Sequence, residues 1–469
     1  MTLPRATILS LLCVPLALTA CTPGNVCIGD CPDALGGDGD DESTSSPTDG
    51  MSSDPTTSAT EIEPGGVAST GGASDTDTNT DDTTDDTTTG TPLCNIGFED
   101  DFQPLDNCGD GVQNPREFCF VEGGSTGFDT SIVSAWPAAV DGGGVDILVS
   151  NFDHTITAML DGPADTLDYS QQIWKSGLPS GRTITLTGAG DLDGDGITDV
   201  VGHSSDAEDG PPEILWLFLI SPDGSLKTSQ NFGVGPLAFG PAVVDFDHDG
   251  NLDLVAVLAE DETIVAVFGD GAGTFDLDPL GTAFGPHQQL ALGVLDPDGT
   301  ADDFVLTTET GLIVSPNPSG PMPVDLGVPA LFHAVEISEL NNDGRGDIVV
   351  LFDDLTTGFT TLGVLLRTEA MGAPQFDISF YPVRCGATVF ALGDIDGDGA
   401  LDIAASGPDN TIVSLRRGDG QGKFDEIVHF VLPSPADRLF IADFNGNGAG
   451  DVLAVDLAGG NLGILENTP

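Results

Sequence analysis

An eleven-residue segment recurs along this chain, and no other feature limits the fold as strongly. The copies are "DLDGDGITDVV" from Asp191, "DFDHDGNLDLV" from Asp245, "ELNNDGRGDIV" from Glu339, "DIDGDGALDIA" from Asp394 and "DFNGNGAGDVL" from Asp443. Each carries oxygen-bearing side chains at positions 1, 3, 5 and 9, and glycine at position 6. Two further stretches, "DPDGTADDFVL" from Asp296 and "VDGGGVDILV" around Asp141, read as a shortened copy and a stub. The copies recur at intervals of about 50 residues, the length of a four-stranded antiparallel unit with its turns, and such a period marks a propeller or solenoid. Between them lie short Val, Ile, Leu and Phe runs broken by Gly, Asp and Pro, without the 3.6-residue apolar spacing of helices, so the class is all-β. Seven units fill residues 122–469, which predicts a seven-bladed β-propeller; closing the ring protects strand edges that an open sheet would expose. Closure further predicts that a strand within Phe118–Pro137 pairs with the final "NLGIL" near Leu465.

The spacing of oxygens points to calcium, a hard cation that takes six to eight oxygen ligands at about 2.3–2.6 Å, because alternate residues of a tight loop can aim at one point. The first copy offers Asp191, Asp193, Asp195, the Ile197 carbonyl and Asp199, with Gly196 permitting the sharp turn. The corresponding sets are Asp245, Asp247, Asp249, Asn251 and Asp253; Glu339, Asn341, Asp343, Arg345 and Asp347; Asp394, Asp396, Asp398, Ala400 and Asp402; and Asp443, Asn445, Asn447, Ala449 and Asp451. Position 12, a Glu in an EF-hand, is here Gly202, Ala256, Val350, Ala405 or Ala454, so that motif is excluded. Asp and Gly also suit turns without any metal. Counting acids ranks the Asp191, Asp245 and Asp394 loops first, then Glu339, then Asp443, and ranks Asp199→Ala as costlier than Asp451→Ala. The shortened loop, with Asp298, Asp302 and Asp303, is expected to hold no complete site.

These segments resemble the FG-GAP/VCBS repeats of bacterial surface proteins and of the integrin α-subunit head. A second hairpin signature of that family is present in "FGDGAGTF" from Phe268 and "RGDGQGKF" from Arg417. The resemblance implies a propeller with calcium loops along one face and a role in adhesion or ligand binding, in a family that also decorates some enzymes.

Upstream, Arg5 and the apolar stretch Ile8–Ala17 read as an export signal (1–20), too short to span a bilayer. Leu18-Thr19-Ala20-Cys21 resembles a bacterial lipobox, which implies a lipidated Cys21 and, with Thr22 following, an outer-membrane or cell-surface lipoprotein anchored by lipid alone. Residues 21–93 form an Asp/Thr/Ser/Gly-rich linker that cannot bury enough apolar surface to fold and is expected to act as a stalk, with Ser and Thr available for glycans. Residues 94–121 hold "CGDGVQNPREFC", similar to a Cys-containing repeat of myxobacterial surface proteins, with Arg116 and Phe120 departing from its pattern. Outside the cytoplasm, Cys27, Cys31, Cys94, Cys108, Cys119 and Cys385 are expected to form disulfides of unassigned pairing.

The net charge of −64, from 76 acidic against 12 basic residues, excludes a nucleic-acid partner, since phosphates are held by Lys and Arg. His154, His203, His248, His287, His333 and His429 are scattered without ligand spacing, and two tyrosines, Tyr169 and Tyr381, leave a proton-transfer site sparse. Arg345-Gly346-Asp347 spells an attachment triplet whose Asp is already a loop ligand. The expectation is therefore a non-catalytic calcium-binding surface module for a protein or glycan. The alternatives are a polysaccharide-acting enzyme or a structural accessory subunit of an envelope complex.

Overall fold

The computed structural model describes residues 118, 120–128, 132–160, 170–174, 182–205, 212–259, 263–283, 289–295, 303–308, 311–315, 322–368, 375–425 and 427–468. The export signal, Cys21, the linker and most of the Cys-containing segment lie outside them, as do Asp296, Asp298, Asp302, His287 and Tyr169. Of the cysteines expected to pair, only Cys385 is described, in the turn before the sixth blade.

Strand β1 (Phe120–Gly127) precedes seven sets of strands. Blade I is β2 (Ile132–Ala138), β3 (Asp146–Asn151), β4 (Ile156–Leu160) and β5 (Ser170–Trp174). Blade II is β6 (Thr185–Gly190), β7 (Asp199–Ser205), β8 (Pro212–Ile220) and β9 (Leu226–Gly233). Blade III is β10 (Leu237–Val244), β11 (Asp253–Leu258), β12 (Thr263–Gly269) and β13 (Phe275–Ala283). Blade IV is β14 (Gln289–Gly293), β15 (Asp303–Thr308), β16 (Gly311–Ser315) and β17 (Met322–Val324). Blade V is β18 (Ala330–Ser338), β19 (Asp347–Asp354), β20 (Thr360–Arg367) and β21 (Phe376–Pro382). Blade VI is β22 (Val389–Gly393), β23 (Asp402–Ser406), β24 (Ile412–Arg416) and β25 (Val428–Val431). Blade VII takes β26 (Arg438–Ala442), β27 (Asp451–Asp456) and β28 (Asn461–Asn467), and β1 supplies its fourth strand, in the order β1-β28-β27-β26. The protein is thus an all-β, seven-bladed propeller of four-stranded sheets, and the described residues contain no helix.

Ring closure occurs where the sequence placed it: β1 pairs antiparallel with β28, with Glu122 opposite Leu465 and Gly127 opposite Asn461. Phe120 is buried and meets Phe430 of blade VI edge-on at 5.1 Å between centroids, so the closing strand also packs on the neighbouring blade.

Within a blade, burial falls from the second strand to the fourth. Strands β3, β23 and β27 are buried at every residue, whereas β9 and β21 alternate between half-buried and exposed. Stacked blades cover both faces of the second strand, so it reads as an unbroken apolar run instead of an alternating one. The core continues from blade to blade: Trp136 of blade I packs edge-on against Phe440 of blade VII at 5.3 Å. First strands lie so close that a Cβ on Gly393 would fall 2.5 Å from Ile441 Cγ2 of the next blade.

Candidate metal centre

Each repeated segment is the connection from the first to the second strand of a blade, and its ninth residue opens the second strand. The residue that opens the second strand is Asp in all seven blades: Asp146, Asp199, Asp253, Asp303, Asp347, Asp402 and Asp451. All seven are buried. One carboxylate oxygen accepts a backbone N–H from the start of its own loop: position 2 in the five complete copies (Leu192, Phe246, Leu340, Ile395 and Phe444), and Val140 and Leu295 in the two degenerate ones, at 2.7–3.1 Å. In the five complete copies the other oxygen accepts an N–H from the end of the third strand: Ile220, Gly269, Arg367, Gly418 and Asn467, at 2.7–2.8 Å. The ninth acid is therefore a staple joining the loop to the third strand. At Asp146 and Asp303, where the other ligand positions have decayed, the bond from the loop N–H is kept.

The loops themselves turn on two left-handed residues, not one. Position 6 is Gly196, Gly250, Gly344, Gly399 or Gly448, with φ between 78° and 93°. Position 4 is Gly194, Gly397 or Gly446 in three copies, but His248 (φ 58°) and Asn342 (φ 57°) in the others, a strained conformation that sequence reading missed. Acids hold these turns by accepting backbone N–H groups. Asp191 accepts from Gly194, Asp195 and Gly196 at 2.8–3.1 Å, and Asp394 accepts from Gly397, Asp398 and Gly399 in the same way. The turn-building role of Asp is real, and it leaves further lone pairs to aim at a cation, since each carboxylate offers about four.

Three of the five predicted loops bring three carboxylates together, with one oxygen from each lying within 4.8 Å of the others: Asp191, Asp193 and Asp199; Asp245, Asp247 and Asp253; Asp394, Asp396 and Asp402. The Glu339 and Asp443 loops form no such triad of acids among the described residues. In the latter, Asn445 Nδ2 donates to Glu466 at 2.9 Å and Asn447 Nδ2 to the Asn467 carbonyl at 2.7 Å, so amides satisfy the loop internally.

The triads fit a hard divalent cation on two further grounds. Asp193 Oδ1 and Asp245 Oδ1 are buried without a hydrogen-bond partner, a costly state for a carboxylate oxygen. Burial also pushes the ninth acids above the usual carboxylate range, with neighbouring loop carboxylates adding to it: Asp199 to about 7, Asp253 to about 6, Asp347 to about 6 and Asp402 to about 8, with Asp451 raised well above its ordinary value. A site that resists holding negative charge in the absence of metal is relieved by a cation.

Other sequence candidates resolve into structural roles. Asp347 of the Arg-Gly-Asp triplet is fully buried and stapled, so it is not presented to a partner. Burial holds His203 down at about 4, His333 pairs with Asp353 at 3.0 Å, and His429 Nδ1 lies 3.1 Å from Ser414 Oγ. The loop face also carries a cleft of about 570 Å³ bordered by the Asp245 and Glu339 loops, with Leu252, Leu292 and Ile337 in its wall.

The family match agrees with this geometry. The family described as FG-GAP-like repeat matches residues 191–256 and 394–454, which hold the loops of blades II, III, VI and VII. No curated protein matches the chain. Among solved structures, the chain is similar to an Agrocybe aegerita lectin whose structure explains recognition of non-reducing terminal N-acetylglucosamine (17% identity, 73% of this chain and 87% of that one, TM-score 0.44). It is also similar to BBS1N in complex with ARL6DN (11% identity, 75% and 97%, TM-score 0.47).

Proposed function

We propose that this FG-GAP-like propeller is a calcium-binding, non-catalytic surface module that engages a protein or glycan through its loop face. The observation that carries the reading is the recurrence of the carboxylate triad in three blades, with buried oxygens left unpartnered in two of them. Calcium would be held by Asp191, Asp193 and Asp199, by Asp245, Asp247 and Asp253, and by Asp394, Asp396 and Asp402. At the Asp245 site it would supply charge neutralisation and rigidity to the rim of the cleft. A partner for such a face is not a polyanion, given 76 acidic residues against 12 basic. A neutral glycan, or a protein surface with apolar and basic groups, suits a cleft walled by Leu252, Leu292 and Ile337 and rimmed by Asp245 and Glu339.

In the same proposal the export signal and a lipid on Cys21 hold the protein at a bacterial surface, and the polar linker lifts the propeller away from the membrane. The test is capture on glycan arrays and from surface extracts, in calcium and, as the control arm, in excess chelator. Calcium-dependent retention of a defined glycan or protein supports the reading. Identical profiles with and without calcium, or turnover of a polysaccharide by the purified chain, count against it.

A further inference from the structure

Basic residues are scarce in this chain, yet three of them reach the repeated loops. Lys227, on the outer strand β9, extends its Nζ to Asp193 Oδ2 at 2.7 Å and Asp195 Oδ2 at 3.0 Å. Arg417, just beyond β24, places Nε 2.8 Å from Asp396 Oδ2, as an ion pair without hydrogen-bond alignment, and its guanidinium lies 4.5 Å above the Phe118 ring. Arg345, at position 7 of its own loop, pairs with Asp343 and donates from Nε to the Arg367 carbonyl at 3.3 Å.

The Asp245 loop differs. Among the described residues no lysine or arginine pairs with Asp245, Asp247 or Asp249; Asp249 Oδ2 accepts only the Asn251 amide, at 2.9 Å. Its first acid also lacks the full set of turn hydrogen bonds. Asp191 and Asp394 use Oδ1 for two backbone N–H groups, whereas Asp245 accepts Gly250 on Oδ2 and leaves Oδ1 buried and unpartnered.

We infer that tethered cations of the chain itself, Lys227, Arg417 and Arg345, set the order in which the loops take calcium, so that the Asp245 loop fills first. The inference rests on the calcium reading above and replaces the tie among the three four-acid loops with a ranking. A divalent ion entering the Asp191 or Asp394 loop must compete with a lysine or arginine charge already held within ion-pair distance of its ligands, while the Asp245, Asp247 and Asp249 carboxylates carry no such pair among the described residues. Lys227 is 45% exposed at its side chain and can swing into solvent. Arg417 is 19% exposed, faces a fully buried Asp396 side chain and stacks on Phe118, so it is harder to displace. The order is therefore Asp245, then Asp191, then Asp394, with the Glu339 and Asp443 loops last.

Calcium titration by calorimetry, with bound ions counted by native mass spectrometry, tests this on the full chain and on Lys227→Met, Arg417→Gln and Asp247→Asn. Asp247 and Lys227 are exposed enough that the fold does not depend on them. The expected result is one tightest site in the unaltered protein, lost in Asp247→Asn, and an Asp191-loop affinity that rises about two- to fivefold in Lys227→Met, the size expected for loss of a half-exposed ion pair. Arg417→Gln should strengthen the third site in the same way. Equal sites in the unaltered protein that do not respond to Lys227→Met overturn the ranking and leave the calcium reading intact. No binding by any of the four proteins overturns both.

Discussion

The ninth-position aspartate is the residue on which the repeat turns. Its two oxygens clamp a loop N–H and a third-strand N–H in a buried site, so truncation strands two backbone donors, each costing about 1–3 kcal/mol. Asp451→Ala is expected to cost about 2–6 kcal/mol in chemical denaturation. Asp146→Ala, in a blade with no complete loop, strands the Val140 N–H and should cost about 1–3 kcal/mol. Counting acids puts Asp199 well ahead of Asp451. The shared hydrogen bonds instead make the two equal in chelator, with a gap opening only when calcium is added; a gap that persists in chelator would contradict the staple. Sequence showed the acid but not the donors, because Ile220, Gly269, Arg367, Gly418 and Asn467 share no side-chain type: what they contribute is a backbone N–H.

At the scale of the loop and its strand, two left-handed positions and a cluster of buried acids set the behaviour. Asn342, exposed at φ 57°, tolerates its conformation as Asn but would not as a β-branched residue. Asn342→Val is expected to destabilise by about 1–2 kcal/mol and Asn342→Gly to be neutral or slightly stabilising. Thermal melts of the two variants check this, and equal melts would contradict it. Position 6 was legible as an unvarying glycine, whereas position 4 was hidden by His248 and Asn342, which adopt the same conformation without being glycine.

The buried acids also fix a pH dependence. Their folded-state values lie above the ordinary value of 3.8, so without calcium the folded state binds more protons than the unfolded one. The stability they contribute is complete below the ordinary value and is lost as pH rises through about 6 to 8. Denaturation in chelator should therefore show falling stability from pH 5 to pH 8, and saturating calcium should flatten that slope. A calcium-free protein that gains stability over this range would contradict the assignment of these groups.

For the whole molecule, the repeat period and the all-β patterning made seven blades and ring closure readable, because each blade repeats the same loop and strand at nearly the same interval. The irregular blades were harder to read. Blade I keeps only a glycine-rich stub before Asp146, and blade IV ends in the three-residue strand Met322–Val324. The closure itself yields a prediction. Deleting Phe120–Gly127 removes the fourth strand of blade VII and its packing on Phe430, exposing the edge of β28. The truncated protein should be less stable and should self-associate in size-exclusion chromatography, since an unpaired edge invites strand addition. A monomer of unchanged stability would contradict the role given to β1.

The most direct test of the central claim is thermal unfolding of the purified propeller in calcium and in chelator, with elemental analysis of the same samples. Calcium bound to the folded state at about 100 times its dissociation constant adds roughly 2.7 kcal/mol per site, so the melting temperature should rise on adding calcium and fall in chelator, with metal present only in the first sample. An unchanged melting temperature in a sample that carries no calcium would contradict the account.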